Sequence, residues 1–87
     1  MNDLWICTAG STLVIRCVGV FTYHEVRQFA SRKMGVDPAA LDIKLCTEDK
    51  PANVEVRWVG DDYAHGGTNH GRRLQERKPG TEKWTDA

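Results

Sequence analysis

Apolar residues crowd two early stretches, "LWICT" (Leu4 to Thr8) and "TLVIRCVGV" (Thr12 to Val20), with "AGS" between them. Both are rich in β-branched and aliphatic side chains, and Gly10 supplies the permissive backbone of a tight turn, so the pair predicts a β-hairpin. In the second stretch Leu13, Ile15 and Cys17 share one face, and Val14, Arg16 and Val18 the other. That second face, continued by Val20, is more apolar than a fully solvated face would be.

The period then changes. "VFTYHEVRQFASRKMGVDP" carries Thr22 and Glu25 at the spacing of a capping box, with Phe21 and Val26 placed as a hydrophobic staple. Val26, Phe29, Ala30 and Met34 mark one helical face. Gly35 suits the left-handed residue past a helix end, Val36 the apolar contact after it, and Pro38 blocks continuation. The spacing predicts a helix from Tyr23 to Met34. "DPAAL" reads as a short turn capped by Asp37 with Pro38 first. "DIKLC" alternates with Ile43 and Leu45 inward, "TEDKPA" is turn chemistry, and "NVEVRWVG" alternates again with Val54, Val56 and Trp58 on one side.

The order strand, strand, helix, strand, strand implies an α+β domain of ββαββ type over residues 1–60, one helix on a mainly antiparallel sheet. Residues 61–87 read as a polar, Arg-rich C-terminal arm with a short fifth strand near 72–77 as the one weak element in it. The element order, with its tight hairpin, Thr-capped helix, Gly-Val-Asp-Pro exit and return strands, resembles the β-grasp, the ubiquitin-like arrangement, over Leu4 to Gly60. A ferredoxin-like half or another ββαββ sandwich fits nearly as well. The terminus "KWTDA" lacks the di-glycine of a conjugated modifier, so conjugation is not implied.

Composition narrows the function classes. Eighty-seven residues make one domain, and 40% hydrophobic with 28% charged residues is ordinary for a soluble one. Twelve basic residues balance twelve acidic ones, so no global field steers the chain toward nucleic acid or an anionic membrane. No run approaches the ~20 apolar residues of a membrane span. "MNDLWICTAG" has neither a basic n-region nor a long apolar core, so no signal peptide is expected. Cys7, Cys17 and Cys46 are odd in number and match no zinc spacing, which favours reduced thiols in a cytoplasm over a Cys7–Cys17 cross-strand disulfide.

Chemistry-bearing residues gather in "DDYAHGGTNHGRRLQERKPG", Asp61 to Gly80. Asp61, Asp62, His65 and His70 could ligate a metal, but their spacing matches no local zinc signature and Gly66–Gly67 separates them flexibly, so no metal or other cofactor is expected. His24 has no nucleophile paired with it in a recognisable motif. Glu48–Asp49 and Asp61–Asp62 are adjacent pairs in turns, and no phosphate loop is present, so a non-enzymatic protein is expected.

What remains is binding. Arg72, Arg73, Arg77 and Lys78 on the arm, with Arg27, Arg32 and Lys33 on the helix, form two basic clusters that suit phosphate contact. Trp5, Trp58 and Trp84 are many for this length, and Trp84 lies in polar surroundings; exposed Trp and Arg dominate interface hot spots. The sequence therefore points to a small protein that works through protein–protein contacts, with Arg27, Arg32, Lys33, Arg72, Arg73, Arg77, Lys78 and Trp84 as contact residues. Nucleic-acid binding through the same arginines is the second reading. By size and scarcity of sites the chain is of the style of phage-encoded or mobile-element accessory proteins, such as host-directed inhibitors (anti-CRISPR proteins are one class) and small virion components.

Overall fold

The computed structural model describes residues 3–60 and 73–87. Strands β1 (Asp3–Thr8) and β2 (Thr12–Val18) form the hairpin, followed by helix α1 (Tyr23–Met34) and a 3-10 turn over Pro38–Ala40. Strands β3 (Asp42–Cys46), β4 (Val54–Val59), β5 (Arg73–Arg77) and β6 (Thr85–Asp86) complete the element order.

The helix begins where the sequence places it. The Thr22 N–H donates to Glu25 Oε1 at 2.8 Å and the Glu25 N–H donates to Thr22 Oγ1 at 3.2 Å, closing the capping box. It ends at Gly35, whose φ of 68° and ψ of 35° are left-handed, a conformation that costs any residue with a Cβ. There the Ser31 carbonyl accepts from both the Gly35 and Val36 N–H groups, at 2.9 and 3.2 Å.

The six strands among the described residues belong to one sheet, in the order β3-β1-β2-β4-β5-β6. Four of its five ladders are antiparallel, and β2 with β4 is parallel. The α+β architecture agrees with the sequence reading, but this strand order departs from a strict β-grasp. Its cause lies in β4: α1 and β3 intervene before it, long enough to carry the chain back to the starting end of the sheet, so β4 can lie parallel to β2. There Val54 and Val56 continue the inner face of Ile15 and Cys17, their register partners.

One face of the sheet packs on α1. Cys7, Ile15, Cys17, Ile43, Val54 and Val56 from the strands meet Phe21, Val26, Phe29 and Ala30, and Trp5, Trp58 and Leu74 pack around the edge of that core. Phe21 stacks on Trp58 with centroids 6.0 Å apart. The register pairs Cys7 with Leu13 and Cys17 with Asp3, so the two cysteines are not cross-strand neighbours, and all three thiols are free. Burial pushes the Cys7 thiol up to about 11, and burial, with the nearby Asp3, Cys7 and Glu25, pushes Cys17 up to about 12. No helix among the described residues is long and apolar enough to cross a membrane.

One boundary differs from the sequence reading. β2 stops at Val18, because Gly19 turns to a φ of 97°, which leaves Val20 in the link to α1 with 90% of its surface exposed. Beyond β4, the short strand expected near 72–77 is found as Arg73–Arg77, antiparallel to β4, and Thr85–Asp86 pairs with β5 in turn.

Candidate functional site

The face of the sheet turned away from α1 is built from the alternate residues of every strand. From β1 and β2 it receives Leu4, Ile6, Val14, Arg16 and Val18; from β4 and β5 it receives Glu55, Arg57, Val59, Arg73, Gln75 and Arg77. The link 47–53 crosses one end of it. Arg16 donates to the Lys50 carbonyl at 3.3 Å and reaches Asp49 at 3.7 Å, and the cleft beside them, lined by Leu4, Arg16, Cys46 and Glu48, is where Leu4 becomes buried.

The middle of this face is a network of arginines. Glu55 sits opposite Arg77 in the β4–β5 register, and Arg77 Nε donates to Glu55 Oε1 at 2.6 Å. The other Glu55 oxygen lies 3.6 Å from Arg16 Nε, so one carboxylate bridges three strands. Arg57, opposite Gln75, donates to Gln75 Oε1 through Nε at 3.1 Å and Nη2 at 2.9 Å.

Trp84 closes the network. Lys78 to Thr81 form a turn in which the Thr81 N–H donates to the Lys78 carbonyl at 3.1 Å, and Gly80 takes a φ of 88°. Pro79 followed by a left-handed glycine is the turn chemistry that reverses the chain. β6 then fixes the return, with Gln75 against Asp86 and Glu76 against Thr85. The indole packs against two guanidinium groups, with Arg57 at 4.3 Å and Arg77 at 4.5 Å from the ring centroid. Each guanidinium thus uses its edge for a cross-strand hydrogen bond and its face for the ring, which a lysine could not do.

The sequence-predicted residues do not form one surface. Arg77 and Trp84 meet on the back face. Arg73 stands at its margin, 3.5 Å from Asp86. Lys78 lies exposed in the turn. On the helix side, Lys33 is paired with Glu76 of β5, Arg32 is exposed, and Arg27 lies over the Tyr23 ring with its guanidinium carbon 6.0 Å from the centroid. The helical basic cluster is split because Arg27 and Lys33 are six positions apart and so fall on different flanks of α1. Arg72, like Asp61, Asp62, His65 and His70, lies outside the described residues.

Arg16, Glu55, Arg57 and Gln75 belong to the network but lie outside the basic clusters of the sequence. Their signal was present in the alternation: Arg16 on β2 and Glu55 and Arg57 on β4 were already on the outward face. Among the described residues no group of three or more His, Cys, Asp or Glu side chains is placed to hold a metal ion. No family model, curated protein or solved structure matches the chain.

Proposed function

We propose that the protein acts by binding another protein through the back face of its sheet. The observation that supports this reading is Trp84 packed against both Arg57 and Arg77 on the face that α1 leaves uncovered. Trp and Arg are the side chains that carry most interface energy, and here both are already fixed in place, so little side-chain freedom remains to be lost on association. Beside them Ile6 and Val14 stand opposite one another and Val18 adjoins Arg57, giving an apolar half next to the cationic–aromatic half. A host-directed accessory protein of phage type acts in this way, by occupying a partner's surface, and the size of this chain suits that use.

The nucleic-acid reading loses support from the same geometry. Arg16, Lys33, Arg73 and Arg77, four of the cations the nucleic-acid reading or the network would use, each have a carboxylate within ion-pair distance. Cations engaged in this way release few counterions from a phosphate backbone.

The test is cross-linked capture from the source cells, with and without nuclease, followed by titration of the recovered partner. Trp84→Ala and Val18→Lys each weaken binding at least ~10-fold, as expected of central hot-spot positions. Replacing Arg32 and Lys78 with Ala changes it by less than ~3-fold, as expected of rim charges. Capture that vanishes with nuclease, or a partner indifferent to both Trp84→Ala and Val18→Lys, overturns the proposal.

A further inference from the structure

A second surface lies at the far edge of the sheet. β3 is the edge strand next to β1, so alternate residues of Asp42–Cys46 turn their N–H and C=O groups away from the sheet. Edge strands are usually protected by a bulge, a proline or an unopposed charge. β3 pairs residue for residue with β1 from Asp42 to Cys46, without a bulge, and contains no proline. Its one lysine, Lys44, has an acid two positions away on the same side, with Asp42 Oδ2 4.0 Å from Lys44 Nζ. On the helix side Leu45 keeps 52% of its surface exposed, beside Trp5 in the register.

We propose that two copies of this chain pair antiparallel through β3 about a two-fold axis at Ile43. The sequence of the strand is complementary to itself in that register. Ile43 faces its own copy, Asp42 of each copy faces Lys44 of the other, and Leu41 faces Leu45. Both opposite-charge pairs form at once, and the exposed Leu45 of each copy comes against the partly buried Leu41 of the other. Centring the pair on Lys44 instead sets lysine against lysine, and centring it on Asp42 sets aspartate against aspartate, so charge selects one register. The result is a single sheet running through both copies, with the back faces on the same side and both Trp84 sites free.

The experiment is sedimentation of the full chain over roughly 1 µM to 1 mM, the range in which a small edge-to-edge interface associates. The mass rises from the 9.8 kDa of one chain toward twice that value. Lys44→Asp and Asp42→Lys, each of which opposes like charges twice, weaken the dimer at least ~10-fold. The double variant Asp42→Lys/Lys44→Asp dimerises like the wild type, and an equimolar mixture of the two single variants forms a heterodimer. Circular dichroism checks the fold of each; should one single variant not hold its fold, the double variant decides. A chain that stays monomeric throughout leaves this edge to some other extended segment and overturns the proposal, as does a dimer that ignores the charge exchange.

Discussion

Replacing Trp84 with Ala tests whether the C-terminal return is anchored by the contacts of the indole with Arg57 and Arg77. Two guanidinium groups stand at 4.3 and 4.5 Å from the ring centroid, well inside the ~6 Å at which such contacts matter. At a half-exposed site each is worth about 0.5–1 kcal/mol, so the pair supplies about 1–2 kcal/mol. The apolar ring area returned to water adds to that loss, which brings the expected cost of Trp84→Ala to about 2 kcal/mol. For a domain of this length, each kcal/mol lowers Tm by about 4–8 °C, so the melting temperature falls by about 8–16 °C. Urea denaturation followed by far-UV circular dichroism measures the cost, with Trp5 and Trp58 left as fluorescent reporters of the core. A double-mutant cycle with Arg77→Gln then separates the contact from ring burial, and the expected coupling is about 0.5–1 kcal/mol. A cost below about 0.3 kcal/mol, or a coupling indistinguishable from zero, refutes these contacts as an anchor.

The capping box and the buried thiols give two further measurements. Thr22→Ala removes the acceptor of the Glu25 N–H and costs about 1 kcal/mol; a Tm lowered by less than about 2 °C would show that the helix start is held by something else. With a thiol reagent at neutral pH, Cys46 reacts first, while Cys7 and Cys17 react only as fast as the chain unfolds. The pH dependence follows from the same burial: above about 9 the unfolded chain loses these thiol protons and the folded chain keeps them up to about 11 and 12. Their contribution is thus fully present below pH 9 and is lost between there and about 12, at about 1.4 kcal/mol per thiol per pH unit. Cys7→Ala/Cys17→Ala removes that component of the alkaline slope, and an unchanged slope contradicts it.

Local signals were legible wherever one segment carried its own instructions. The helix runs over Tyr23–Met34 as the spacing predicts, because Thr22, Glu25 and Gly35 settle its ends within the segment itself. β4 likewise follows its alternation, and β3 does for Ile43, while Leu45, expected inward, lies at the sheet edge with half its surface exposed. Strand order was not legible, since Val54 and Val56 would suit the inner face of any central strand, and their place beside Ile15 and Cys17 is decided by packing. β5 was faint because Arg73–Arg77 offers only Leu74 to the core. Its remaining residues are stabilised by partners on β4, β6 and α1, which no reading of the segment alone can supply. Pro79–Gly80 was the overlooked clue, because a turn at that point sends Trp84 back along β5.

The two halves of the back face differ in how far they satisfy themselves, and that difference indicates where a partner gains most. On the β4–β5 half, Glu55 answers Arg77 and Arg16, Gln75 answers Arg57, and Trp84 covers both guanidinium planes. Its polar groups are already bonded, so what a partner gains there is contact with the exposed surface of the pre-positioned indole. On the β1–β2 half, Ile6, Val14 and Val18 are only partly covered by the described residues. Removing that apolar area from water is a gain still to be made, at about 25 cal/mol per Å². The arginine network then works as a rigid wall beside the apolar half, fixing the angle from which a partner approaches. On this argument Val18→Lys harms binding more than stability, because no described core residue depends on Val18, whereas Trp84→Ala harms both.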